Sequence, residues 1–248
     1  KTIQQGYLAG NSLLSDVEGK KALGIDFIAQ FIGSDRLYEQ KYLSDVSDEY
    51  KSILEAYCEG INRFAEIHPE QVLSKKLFPI NTKSLFLYGQ LQLFVSSKGD
   101  YWVKKILKNK LNYEPVKDEV KGSNTFAFNS SKTKDGNTYL AINTHQPLDG
   151  PTSWYEVHLN SEEGTDIIGA LFAGSPNVLI GANRDIAWAH TVNIPDKTDV
   201  FALEMHPSKK KYYRVDEEYL KLKKQRAKLL IKILGIPIKI SKRYYESI

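Results

Sequence analysis

The sequence predicts an α+β fold, on three observations. Residues 1–107 carry apolar positions at three-to-four spacing with helix caps, residues 123–248 alternate apolar and polar at period two, and no internal repeat or low-complexity tract joins the halves. Between them, KNKLNYEPVKDEVKG (108–122) is polar and charged, the composition of a flexible linker that can be trimmed. The expected organisation is therefore a helical part (1–107), a linker (108–122) and a β-rich part (123–248).

In the helical part, SDEYKSILEAYCEGINRFAEI places Tyr50, Ile53, Leu54, Tyr57, Ile61 and Phe64 on one helical face, with Ser47 or Asp48 as N-cap. A second helix follows NTKSLFLYGQLQLFVSSKG, capped by Asn81 or Thr82. Cys58, the single cysteine, excludes an internal disulfide framework and a cysteine-based metal site, and it reads as a small core residue. From residue 123 the expected strands are TFAFN, YLAINT, WYEVHLN, DIIGALFAG, NVLIGAN, IAWAHTV and DVFALEMH, followed by the strand-like ILGIPIKISKRYYESI. The first two are separated by SSKTKDG, which carries the Asp135-Gly136 turn signal. A turn centred near residue 134 would bring Ser123 opposite His145.

Composition is that of an ordinary globular chain, 42% hydrophobic and 26% charged, with no apolar run near the ~18 residues of a membrane span. Charge is uneven. Thirteen of the 34 Lys and Arg fall between Lys209 and Arg243, against Asp216, Glu217 and Glu218. A basic run with Tyr212, Tyr213 and Tyr219 interleaved is compatible with a phosphate backbone. In KLKKQRAKLLIKILGIPIKI, however, the charges alternate with apolar residues as on the solvent face of exposed strands. Neither a nucleic-acid nor a membrane partner is expected.

The candidate chemistry lies at Gly122-Ser123-Asn124, with His145 in THQP 22 positions after the serine. A chain cut before Ser123 would put a free α-amine, of reference pKa ~7.7–8.0, beside the serine's own hydroxyl. Nucleophile and base then share one residue. Gly122, lacking a Cβ, suits the strained backbone that self-cleavage needs. His158 on its strand reads as structurally satisfied, His190 as a packing or hydrogen-bonding group, and no histidine, cysteine and aspartate set has zinc spacing.

KGSNTFAFN, AINTHQP, LFAGSPNVLIGANRDIAWAHTVNIPDKTDVF and LEAYCEGINRF together resemble the penicillin acylase family of N-terminal-nucleophile hydrolases, in its acyl-homoserine lactone acylase-like branch. The resemblance implies an αββα sandwich, autoproteolysis between Gly122 and Ser123, and an amidase acting on N-acyl amides. It makes Ser123 the nucleophile and the Val192 N–H one oxyanion-hole donor, the second being an asparagine beyond Ile248. His145 falls where homoserine lactone acylases carry a histidine near the nucleophile's amine and penicillin G acylases a glutamine. Substrate-binding candidates on the same basis are Gln146, where many members carry an aromatic, Trp154 and Phe86.

Catalysis of this kind uses no cofactor. The resemblance aligns Asp196 and Asp199 with two acidic positions that bind calcium in penicillin G acylase-like members, and the Thr198 carbonyl lies between them. Calcium takes six to eight oxygens, so this is a partial, structural site. The α and β chains of the processed precursor would form a heterodimer exported to the periplasm, and residues 1–248 are expected to be a piece of that precursor. The rival expectation is a non-catalytic homologue or interaction module with a basic strand region.

Overall fold

A computed structural model describes residues 1–110, 122–150, 152–192, 197–233 and 236–247. The helices are α1 (Thr2–Gly10), α2 (Ser15–Glu18), α3 (Leu23–Phe31), α4 (Ser34–Asp45), α5 (Asp48–Ile67), α6 (Thr82–Ser96) and α7 (Gly99–Leu107). The strands are β1 (Asn124–Phe128), β2 (Tyr139–Asn143), β3 (Trp154–Asn160), β4 (Asp166–Phe172), β5 (Ile180–Ala182), β6 (Ala187–Trp188), β7 (Tyr212–Val215), β8 (Glu218–Lys221), β9 (Lys223–Ile233) and β10 (Ile236–Glu246). All pairings among the described residues are antiparallel, giving the sheet β3-β4-β5-β6 and the pairs β1-β2, β7-β8 and β9-β10. The fold is α+β. Residues 111–121 of the expected linker lie outside the described residues.

The chain forms two compact units. One joins Lys1–Gly6 to Asn112–Pro195, the other Tyr7–Leu111 to Asp196–Ile248, so the β-rich part contributes to both.

In the second unit both expected caps form: the Ser47 side chain accepts from the Tyr50 N–H and Asn81 from the Ser84 N–H. Each satisfies a donor that the first helical turn leaves without a partner. On α5, Leu54 and Cys58 are buried, whereas Ile53 and Phe64 are 52% and 48% exposed. The apolar stripe is wider than the strip that α6 covers. The core gathers Phe27 and Ile28 from α3, Leu91 from α6, and Ala227 and Leu229 from β9. Alternation along β9 buries Ala227, Leu229 and Ile231 and leaves Lys224, Arg226 and Lys228 in solvent, as the period-two pattern requires.

Side chains close the free edge of β9. Gln30 donates to the Lys228 carbonyl at 2.8 Å and accepts from the Lys228 N–H at 2.8 Å, and the Ser15 hydroxyl donates to the Leu230 carbonyl. This uses the backbone groups that would otherwise recruit another strand.

Asp26 anchors the same corner. It is fully buried, and its two oxygens accept from the Leu14 N–H at 3.0 Å and the Ser15 N–H at 2.8 Å. Burial raises its pKa above the ordinary value, opposed by the bonds from Ser15 and Leu14. Because the folded chain holds this proton to higher pH than the unfolded one, the group's contribution to stability falls as pH rises above about 3.9 and levels off beyond its folded pKa. Asp26→Asn would turn an amide NH2 against one of the two N–H donors. Urea denaturation should show a loss of about 1–3 kcal/mol, the cost of an unsatisfied buried donor; an unchanged midpoint would refute the role.

The segment DVFALEMH, expected as a strand, is not one. It meets β7 only at its end, where the Arg214 N–H donates to the Glu204 carbonyl, the His206 N–H to the Tyr212 carbonyl, and Met205 bridges Tyr213. Phe201 is 81% exposed. An alternating pattern becomes a strand only where a neighbour supplies the ladder. In IAWAHTV, likewise, only Ala187 and Trp188 are in a strand ladder among the described residues.

In the first unit β4 and β5 approach through paired glycines. Gly169 stands opposite Gly181, and a Cβ on Gly169 would lie 2.2 Å from the Ile180 carbonyl oxygen and 2.6 Å from Val178 Cγ1. At the β1–β2 turn Gly136 has φ +74°, which a side chain would oppose.

Candidate active site

Ser123 immediately precedes β1, half-buried beside Gly122. The register pairs Asn124 with Asn143, so Ser123 stands opposite Thr144, one residue from the expected His145. The connection is centred between residues 133 and 134, and half a residue in the centre moves the partner by one position and to the other face. The Asp135 carboxylate fixes this turn by accepting from the Asn137 N–H at 3.2 Å and from the Tyr139 hydroxyl; the Tyr139 bond first, then Asn137, lowers its pKa to about 2.

His145 still reaches the serine, but through its main chain: its N–H donates to Ser123 Oγ at 3.4 Å, a long bond. The imidazole is exposed. Thr144 is the residue that sequence reasoning missed. The only signal that could have found it is the length of the connection, read as ten residues between Phe128 and Tyr139.

The other candidates are placed as follows. Gln146 is half-buried, one residue past the contact with Ser123. Trp154 opens β3 and stacks on Phe172 at 4.5 Å and 23°, with its Nε1 buried and lacking a hydrogen-bond partner among the described residues. Val192 follows β6 and is 47% exposed. Phe86 belongs to the other unit, where it packs edge-on to Tyr38 at 5.5 Å. His158 is satisfied by Asp166, Nε2 to Oδ1 2.9 Å, a bond that lowers the Asp166 pKa.

Of the candidate metal ligands, Asp196 lies outside the described residues. The Thr198 hydroxyl donates to the Ser97 carbonyl at 2.6 Å, and Asp199 is exposed. No cluster of three or more His, Cys, Asp or Glu fit to hold a metal occurs among the described residues. Two carboxylates and a carbonyl, each binding through one oxygen, supply three of the six to eight oxygens that calcium takes.

Cys58 is buried, and burial first, then Glu55 and Glu59, pushes its thiol up to about 11. A thiol reagent at pH 8 should label the native chain at least about 100-fold more slowly than the unfolded chain. Equal rates would place Cys58 at the surface.

A serine that heads a hairpin after a glycine, with a main-chain N–H directed at its oxygen, is an arrangement suited to nucleophilic amide hydrolysis once a base is supplied. Residues 2–239 match the penicillin amidase family, and the chain belongs to that family. It is 31% identical over 128 residues to the acyl-homoserine lactone acylase PvdQ of Pseudomonas fluorescens Pf0-1, covering 51% of this chain and 16% of that protein. Over 95 residues it is 33% identical to the aculeacin-A acylase of Actinoplanes utahensis, covering 38% of this chain and 12% of that protein. With the acyl-homoserine lactone acylase QuiP of Pseudomonas aeruginosa it shares 27% over 114 residues, covering 46% and 13%. The matched stretch spans about a sixth of the length of the first of these curated relatives.

Proposed function

We propose that the chain is part of a self-processing amidohydrolase that cleaves N-acyl amides through an acyl-enzyme on Ser123, built on the αββα sandwich of N-terminal-nucleophile hydrolases. The observation that carries this reading is the position of the Gly122-Ser123 junction, at the head of β1 and inside the matched family segment. In the continuous chain the Ser123 nitrogen is an amide and cannot act as a base. Cleavage before Ser123 converts it to an amine that is substantially neutral near pH 8.

The amine then takes the hydroxyl proton as Ser123 Oγ attacks the acyl carbonyl, and it returns the proton to the leaving nitrogen; water hydrolyses the acyl-enzyme. The Val192 N–H holds the oxyanion with a further donor, each worth a few kcal/mol in comparable sites. His145 orients the nucleophile through its N–H at Ser123 Oγ, and its imidazole is assigned the tuning of the amine. Gln146 and Trp154 line the acyl site in this reading. Relatives named acyl-homoserine lactone acylase and aculeacin-A acylase support an N-acyl amide as the substrate class. The processed chains form a heterodimer acting after export. Asp196, Asp199 and the Thr198 carbonyl contribute to a structural calcium site that takes no part in the chemistry.

The test is intact mass and N-terminal sequencing of the full-length protein. Two chains are expected, the second beginning Ser-Asn-Thr-Phe. A mature active protein that is unbroken there, or that begins elsewhere, would overturn the reading.

A further inference from the structure

Register and burial single out one face of the β1–β2 hairpin. Continued one residue past Asn124 and Asn143, the pairing puts the side chains of Ser123, Thr125, Leu140, Ile142 and Thr144 on a common face. Ser123, Thr125, Leu140 and Thr144 are half-buried, whereas Asn124, Phe126, Phe128, Tyr139, Ala141 and Asn143 of the other face are all exposed. Ser123 therefore lies on the covered face, with Thr144 as its direct cross-strand neighbour.

The hydrogen bond from His145 fixes this neighbourhood more closely. The nitrogen that donates to Ser123 Oγ at 3.4 Å is two covalent bonds from Thr144 Cα, so the serine oxygen lies over the peptide that joins Thr144 to His145. Directly opposite residues of an antiparallel pair have Cβ atoms about 4.5–5.5 Å apart, a separation at which threonine and serine pairs hydrogen-bond across strands. Among the described residues no hydrogen bond engages the Thr144 hydroxyl.

The base in the proposed mechanism is the free amine of Ser123, and the present inference rests on that reading. A neutral amine there has two N–H groups and one lone pair, and it takes the hydroxyl proton only when the lone pair faces Oγ. Rotation about the Cα–N bond otherwise spreads the lone pair among the staggered positions. A neighbouring hydroxyl oxygen that accepts one N–H stops that rotation.

We propose that the Thr144 hydroxyl accepts a hydrogen bond from the Ser123 α-amine once the chain is cut, and so holds the amine's lone pair toward Oγ. Thr144 is then a positioning residue, acting through the amine and exchanging no proton of its own.

Addition of phenylmethylsulfonyl fluoride to Ser123 in the full-length, processed protein tests it, because this reaction needs the activated hydroxyl and not the natural acyl group. Oγ bonds to sulfur, fluoride leaves and the amine takes the hydroxyl proton; intact mass follows the rate. Thr144→Val keeps the branched shape without the hydroxyl. It should still be cut before Ser123, since no amine exists until then, and should react about tenfold more slowly, the worth of about one hydrogen bond. Thr144→Ser should recover most of the rate. Thr125→Val is the control: Thr125 Oγ1 lies on the same face, buried without a partner among the described residues, and this variant should react as the parent does. A parent that is uncut, or cut and inert, removes the self-processing reading and this inference with it. A processed parent whose Thr144→Val variant reacts at the parental rate, or stays uncut, overturns the positioning role alone. So does a Thr144→Ser variant as slow as Thr144→Val, which would make packing the cause.

Discussion

Ser123→Ala in the full-length precursor is expected to leave a single uncut chain and to lower amidase activity by about 10⁴-fold or more. Loss of a covalent nucleophile in comparable hydrolases has effects of this order, because the remaining groups only bind and polarise the substrate. Two readouts should fail together, since in the proposed mechanism one hydroxyl serves both steps, attacking the Gly122 carbonyl in processing and the acyl carbonyl in catalysis. Intact mass reports the first and release of a free amine from an N-acyl substrate the second. Cleavage that persists in this variant would assign processing to another residue or to an external protease.

Gly169→Ala is expected to have the largest effect on stability, about 3 kcal/mol or more. The new Cβ would sit 2.2 Å from the Ile180 carbonyl oxygen and 2.8 Å from Gly181 Cα, both backbone atoms that cannot rotate away. The β4–β5 pair must open, and forcing extra volume into a packed contact typically costs 1–3 kcal/mol even where side chains can yield. Since β5 carries β6, and β6 leads to Val192, activity should fall with stability. Gly60→Ala is the control. Nothing lies within 4 Å of its added Cβ, in the interior of α5, so helix propensity should stabilise by about 0.5–1 kcal/mol. Equal midpoints for the two variants in urea would remove the close-approach argument.

Much of the local structure was legible because its causes are local. The caps of α5 and α6 lie in side chains three residues from the groups they satisfy, and β1 to β3 announce themselves by alternation over five to seven residues. DVFALEMH shows where this reasoning stops. Its pattern is as regular as that of β3, yet a strand needs a ladder, and among the described residues no neighbour supplies one at 199–203.

The candidate site divides in the same way. Residue types and spacing picked out Gly122, Ser123 and His145, whereas their geometry depended on a hairpin register that alternation cannot specify to one residue. That single step replaces an imidazole opposite the serine by Thr144 and leaves His145 to act on Ser123 Oγ with its N–H.

The sequence by itself determined the α+β class, the order of helices before strands, the capped helices and the serine at the glycine junction, because each follows from neighbours within a few bonds or one period of the chain. Only the tertiary structure decided which residue faces Ser123, that the 223–246 hairpin packs with the helices, and that Ala227, Leu229 and Ile231 are the residues it buries there. These depend on pairing and burial between distant segments, such as Gln30 and Lys228, 198 residues apart, and such contacts leave no periodic mark in the chain.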